Sequence, residues 1–316
     1  MSTELKTLHK PWLIAVWPGM GQVALSAGYY LMAKLEMNLL AEFSPKEFFE
    51  LEHVEVTAGL IRPGYLPRSR LFAWNDPQGQ HDIIVFIGEA QPTTGKYLFC
   101  HSLIDLAQKL GVERVFTFAA MATQMHPEHM SRVFGAATDA TGLEQLKSLE
   151  IDLLEEGHIS GLNGVLLGVA AERGLRGTCL LGEMPHIFAQ LPFPKASLAV
   201  LRVFSSLAGI DLDTHELVEQ ARIMDHNLGQ LLAQVENAIE QRQAEGEEKS
   251  EFATEPNVEE EPGLASRDEQ HIEQLFAQAR QDRSKAYELK RELDRLNVFK
   301  DYEDRFLSLF RKPESP

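Results

Sequence analysis

Cysteine is nearly absent: Cys100 and Cys179 are the two in 316 residues. Both sit among apolar neighbours. That excludes a disulfide-stapled secreted scaffold and leads us to expect two reduced, buried thiols in a cytoplasmic protein. No run of about 18 apolar residues occurs, so no helix of this sequence is expected to cross a membrane. Met1 to Lys10 is polar and carries no apolar signal core. Positive charge is in deficit, with 30 Lys and Arg against 47 Asp and Glu and a net charge of −17. Nucleic-acid phosphates and anionic membrane surfaces would both repel such a chain, so neither is expected as a partner. The G-x-S-x-G elbow and the G-x-x-x-x-G-K-[ST] loop are missing as well. His126-Pro127-Glu128-His129 groups two imidazoles with a carboxylate. Pro127 breaks the helix that a metal-binding H-x-x-H would use, and no third ligand is evident, so no metal and no cofactor are expected.

What is present is a core. Hydrophobic residues make up 44% of the chain, ordinary for a folded protein of one large or two modest domains. The chain is organised around Trp12-Leu13-Ile14-Ala15-Val16-Trp17, a buried strand that ends at Pro18-Gly19-Met20-Gly21. The apolar run Val23 to Leu35 that follows has helical spacing. A strand, a glycine turn and a helix open an α/β sheet, whose ligands sit at the carboxyl ends of strands. Gly19-Met20-Gly21-Gln22-Val23-Ala24 also fits G-x-G-x-x-G/A. Glu42, at the end of a strand over Asn38 to Phe43, lies near the distance of a ribose-binding carboxylate. That is a dinucleotide reading, set against a plain tight turn.

Further strands are expected at Val54 to Thr57, Arg70 to Trp74, Asp82 to Gly88, Arg114 to Ala120, Arg132 to Thr138 and Thr178 to Gly182. Asp82 to Gly88 is apolar without alternation, so both of its faces are covered. Helices are expected at Tyr97 to Leu110 with Gly111 as cap, at Gly142 to Leu149, and at Val165 to Arg173 after the glycine-rich turn Gly157 to Gly164. Strands alternating with helices predict a three-layer α/β/α sandwich, with a sheet that can be mixed.

The pattern then changes to heptads. Leu217, Ala221, Met224, Leu228, Leu231, Val235 and Ala238 form a seam after the capping sequence Asp213-Thr214-His215-Glu216. Ala244 to Gly263 holds eight glutamates, one lysine and two prolines, which predicts an unstructured acidic linker. A second seam, Ile272, Leu275, Ala279, Asp282, Ala286, Leu289, Leu293 and Leu296, is interrupted by Asp282, which argues against one long coiled coil. The expected organisation is a core domain over 1–243, a linker over 244–265 and a helical tail over 266–316.

Candidate ligand-binding residues are Gly19, Gly21, Glu89, Gln91, Asn163, Gly164 and Glu183, all at strand ends or glycine turns. Glu183 with His186 forms a candidate acid–base pair. Leu217, Met224, Leu228, Leu231, Val235, Leu289 and Leu293 are candidate contacts for a subunit, a partner or a helix hairpin.

Six segments in order resemble the proteasome assembly chaperone 2 family. They are Pro18 to Gly21, Gly88-Glu89-Ala90-Gln91-Pro92, Leu110 to Val115, Gly135-Ala136-Ala137-Thr138, Ile159 to Gly168 and Leu180 to Pro185. The resemblance runs from about Trp12 to Gln241. It implies a phosphorylase/hydrolase-like α/β/α fold and a homo-oligomer, a trimer or larger. It also implies a role like that of relatives that assemble proteasome subunits in eukaryotes and archaea. Some archaeal relatives end in a hydrophobic-tyrosine-any motif that docks into the proteasome ring. Arg311 to Pro316 does not match it, and the longer form resembles bacterial members. The expected function is an oligomeric, assembly-chaperone-like protein with a protein client and no defined catalytic activity. The alternative is an enzyme or sensor of a nucleoside- or nucleotide-like ligand.

Overall fold

The computed structural model describes residues 8–43, 46–51, 54–57, 59–62, 64–149, 151–245 and 266–311. In chain order the main elements are β1 (Trp12–Val16), α1 (Val23–Lys34), β2 (Asn38–Phe43), β3 (Glu55–Thr57), β4 (Leu60–Arg62), β5 (Ser69–Trp74), β6 (Ile83–Gly88), α2 (Lys96–Lys109), β7 (Arg114–Thr123), β8 (Val133–Ala137), α3 (Ala140–Ser148), β9 (Asp152–Leu153), α4 (Gly161–Glu172), β10 (Arg176–Pro185), α5 (Pro194–Ala208), α6 (His215–Glu245), α7 (Ser266–Gln281), α8 (Ala286–Arg295) and α9 (Phe299–Ser308).

An eight-stranded mixed sheet runs in the order β2-β5-β6-β1-β7-β10-β8-β9. Its centre, β6-β1-β7-β10, is parallel. The flanks turn antiparallel: β5 pairs with β6, β2 with β5, and β8 with β10. Successive side chains of β1 point to opposite faces. Leu13, Ala15 and Trp17 pack with Phe99, Leu103, Leu162 and Leu166 of α2 and α4. Ile14 and Val16 pack with Ala27, Tyr30, Leu198 and Leu201 of α1 and α5. The chain therefore has the expected α/β/α sandwich.

The local expectations differ from the structure at three places. The glycine-rich run at 157–164 does not merely precede a helix, because α4 begins inside it at Gly161. β10 continues to Pro185, so Glu183 lies within the sheet, opposite Met121, rather than in a loop beyond it. α5 was not anticipated; Pro194 opens it at the first helical turn, where a missing N–H costs nothing. At Asp282 the second heptad run breaks, as its charge suggested. The carboxylate accepts from the Ser284 N–H at 3.0 Å and starts a new short turn before α8.

The tail packs on the outer side of α1. Ile272, Phe276, Leu289, Leu293, Phe306 and Phe310 join the same hydrophobic cluster as Ile14. The Leu39 N–H donates to the Phe310 carbonyl at 2.8 Å. Arg283 Nη1 donates to Asn38 Oδ1 at 3.0 Å, and Tyr287 Oη to Gln220 Oε1 at 3.0 Å. The expected linker lies outside the described residues beyond Glu245.

Leu289 is fully buried between tail and α1. Leu289→Ala is expected to cost about 2–5 kcal/mol. Hydrogen exchange should show the loss in residues 286–308 while β1 stays protected. Unchanged protection in the tail would overturn this packing.

Candidate functional site

The first glycine turn leaves β1 at the carboxyl end of the parallel strands, and its two glycines do different work. Gly19 is extended, and a side chain there would meet open space. Gly21 has φ +60°, and a Cβ would stand 2.7 Å from Met184 Sδ. Its N–H donates to the Ala189 carbonyl at 2.8 Å and its carbonyl accepts from the Phe193 N–H at 2.9 Å. Gly21 thus seats α1 against the end of β10 and the loop that follows it.

The dinucleotide reading fails on topology. A ribose-binding carboxylate must sit on the strand next to β1, yet β5 and β6 separate β2 from β1. Glu42 instead lies 3.6 Å from Arg70 Nε at the edge of the sheet.

Beside the turn is a cleft of about 620 Å³. It brings together two of the sequence-derived candidates, Gly19 and Glu89, at the ends of β1 and β6. Its other wall is the tail, with Lys290, Asp294, Phe299, Lys300 and Glu303. Glu89 is buried and accepts from the Arg68 N–H at 3.0 Å and from Arg70 Nη1 at 3.1 Å. Lys300 Nζ stands 3.5 Å from Glu89 and 2.9 Å from Glu303. Asp304 closes the network at 2.6 Å from Arg68 and 3.0 Å from Arg70. Burial, and then the neighbouring Glu89 charge, push the Glu303 carboxyl above its ordinary range. The tail's part in this site escaped the sequence reading. Its one available signal was Lys290 and Asp294 at i, i+4 among the seam leucines.

The remaining candidates do not line that cleft. Gln91 bridges the two glycine turns: its Nε2 donates to the Pro18 carbonyl at 3.2 Å, and its Oε1 accepts from the Leu162 N–H at 3.1 Å. It thereby caps the first turn of α4. At Gly164 an added Cβ would lie 1.9 Å from the Ile159 carbonyl oxygen, so glycine is needed for close approach. The Asn163 carbonyl accepts from Thr117 Oγ1 at 3.2 Å, while its Oδ1 is buried without a partner among the described residues.

Glu183 holds Arg132 through two hydrogen bonds of 2.8 Å and accepts a third from Thr123 Oγ1 at 2.8 Å. The Arg132 hydrogen bonds keep its carboxyl below the ordinary value. His186 Nδ1 contacts the Thr123 carbonyl at 2.9 Å instead. The expected Glu183–His186 pair is therefore not formed, because Arg132 has taken the carboxylate. The His126 and His129 rings lie 5.5 Å apart. Among the described residues no three His, Cys, Asp or Glu side chains are grouped to hold a metal. Cys100 and Cys179 are buried free thiols, and burial pushes both up to about 12. Among the described residues no helix is long and apolar enough to cross a membrane.

Residues 13–232 match the model of the PAC2 family. The chain belongs to the PAC2 family. It is 26% identical over 250 residues to an uncharacterized protein of Methanocaldococcus jannaschii, across 76% of this chain and 90% of that one. Among solved structures it resembles Pyrococcus furiosus PbaB, an archaeal proteasome activator, with 26% identity and a TM-score of 0.61. The match covers 72% of this chain and 94% of PbaB. It shares its fold with a proteasome-assembly chaperone homologue from Mycobacterium tuberculosis at 20% identity and a TM-score of 0.60. That match covers 70% of this chain and 94% of the other.

The PAC2 match ends within α6, before the tail begins. On α6, Leu217 and Leu228 are buried within the chain, Met224 packs partly on the same cluster, and Leu231 is 42% exposed. The Val235 side chain lies outside the described residues. Leu289 and Leu293, on the tail itself, are buried where it packs on the core.

Gln91→Leu is expected to cost about 1–2 kcal/mol, measured by urea unfolding, because it removes two hydrogen bonds that join the glycine turns. Glu303→Gln tests the tail network. With its carboxyl raised above the ordinary 4.5, the native state binds the proton more tightly than the unfolded chain. Wild-type stability from this group is therefore lost as pH rises through the raised value. The variant should melt above wild type near pH 7.5, and the gap should close as pH falls toward 4.5. A gap that widens on acidification would contradict this.

Proposed function

We propose that this PAC2 protein is an oligomeric, assembly-chaperone-like protein that works by holding other protein surfaces rather than by covalent chemistry. The observation that carries this reading is the β3–β4 hairpin. Val56, Leu60 and Ile61 on it are 65%, 64% and 73% exposed, and Val54 and Tyr65 extend the surface. Val56 and Ile61 pair across the hairpin on one face and Leu60 lies on the other; exposed apolar side chains of this kind mark a protein-contact surface. On α6, Ile223 and Leu231 add a second exposed apolar stretch. Two separate sticky surfaces on one chain suit a heterologous contact that closes into a ring, which supports a homo-oligomer of three or more. PbaB, which is 26% identical, is described as a proteasome activator, and this supports a protein client. We place the protein in the cytoplasm. We treat residues 1–243 as its working domain, 244–265 as an acidic connector, and 266–316 as a tail that steadies the domain.

The candidate acids support the same reading. Glu89 and Glu183 are both spent on arginines. A nucleotide entering the cleft beside Gly19 would bring phosphates up to Glu89, Asp294 and Glu303 against two lysines, so charge favours the protein-contact reading over the nucleotide one.

The test is Leu60→Asp combined with Ile61→Asp. Both residues are exposed, so each change should move stability by about 0.5 kcal/mol or less. Light scattering should show a fall in assembled mass, and native mass spectrometry should show the loss of any protein held at fixed ratio. Unchanged mass with an unchanged set of bound proteins would sink the proposal.

A further inference from the structure

A second cavity adjoins the cleft beside the glycine turn, sharing Gln22, Tyr29, Lys290 and Asp294 with it, and none of its lining residues comes from the hairpin. It occupies about 460 Å³ between α1, α6 and α8, within the size range of small-molecule sites. Its walls are mostly apolar. Tyr29 comes from α1, Ile223 and Met224 from α6, Tyr287 from α8, and Pro192 and Pro194 from the approach to α5. Gln22, Ser26 and Gln220 supply a few polar groups. Such a lining, with isolated polar positions, orients an apolar body rather than a sugar or a polyphosphate.

The rim carries a surplus of positive charge, although the chain as a whole has a net charge of −17. Lys290, Arg291 and Arg295 face Glu292 and Asp294 there. Lys290 is neutralised by Asp294 at 2.7 Å and lies 4.7 Å from the Tyr29 ring centroid. Arg295 is held by Glu292 at 2.7 Å and 2.9 Å. Arg291 is left over: among the described residues no side chain hydrogen-bonds or ion-pairs with its guanidinium, and it lines both this cavity and a neighbouring hollow edged by Asp213, Glu216, Glu219 and Glu288. An aromatic and aliphatic chamber with one uncommitted guanidinium in its lining matches a molecule with an apolar body and a single carboxylate.

We propose that the cavity between α1, α6 and α8 binds a small amphipathic carboxylate, its apolar part against Tyr29, Tyr287, Met224 and Ile223 and its head group at Arg291. Because one wall comes from the PAC2 match and the other from the tail, an occupant would fasten the two together. The site shares Ile223 with the exposed α6 stretch but no residue with the hairpin, so the Leu60→Asp/Ile61→Asp protein should keep it.

The experiment is isothermal titration of the full chain with octanoate and with octanol, the same chain length without the charge. Octanoate should bind one molecule per chain, about tenfold or more tighter than octanol, the worth of a charge-assisted bond. Arg291→Gln, at an exposed position, should erase that preference while leaving octanol binding unchanged. Ile223→Trp should fill the chamber and abolish binding of both, with the melting temperature held near wild type. Equal affinity for the two probes would overturn the head-group assignment. Undiminished binding in Ile223→Trp, more than one molecule bound per chain, or no saturable binding of either probe would overturn the site.

Discussion

Helix α1 has almost no face fit for water, and much of the architecture answers that constraint. Of its residues, Val23, Ala24, Ala27, Gly28, Tyr29, Tyr30, Leu31, Met32 and Ala33 are buried. A helix that is apolar all round must be covered all round. The sheet covers one side through Ile14 and Val16, α5 covers a second, and α7 to α9 cover the outer side. The tail is in effect a fourth layer. Its polar ties, such as Leu39 to Phe310 and Arg283 to Asn38, fix where that layer sits, while the burial of Leu289, Leu293 and Phe306 supplies the driving force.

Charge at the seam between that layer and the sheet follows from the same packing. Arg70 is only 5% exposed and could not remain so without partners. Glu89 and Asp304 provide them, one from the sheet and one from the tail. Glu89 sits where an open α/β sheet usually offers a functional group, at the end of a central parallel strand. Here it neutralises a buried guanidinium. Glu183 shows the same economy at the end of β10, where Arg132 and Thr123 satisfy both carboxylate oxygens.

How much was legible depended on whether the information was local. β1, α1, β6 and α2 stood out because each combines a clear apolar period with a glycine or proline boundary, and their predicted limits fall within a residue or two of the observed ones. The three layers followed from alternation of strand and helix, and the mixed sheet from middle strands close enough in sequence to pair as hairpins. The Asp282 break was readable because a lone carboxylate cannot sit in an apolar seam. Position across the sheet was not readable. Glu42 looked like a ribose ligand only because sequence distance says nothing of strand order. Gln91 and Leu162 are far apart in sequence, and nothing in either segment announces that they meet. α5 went unseen because Pro185, Pro192 and Pro194 make its approach resemble a loop. The tail's contribution to the cleft stayed hidden for a related reason: a heptad pattern names a face but not what that face will cover.

The all-round burial of α1 also sets a timetable for synthesis. α1 leaves the ribosome early, yet its outer cover lies beyond residue 232, where the PAC2 match ends. At ordinary elongation rates, the stretch from there to Phe310 takes about 4–16 s to make. For that interval the nascent chain presents Tyr29, Tyr30 and their neighbours to water. The order of the sequence therefore imposes a window of stickiness on every newly made copy, and it closes only when the last helices arrive.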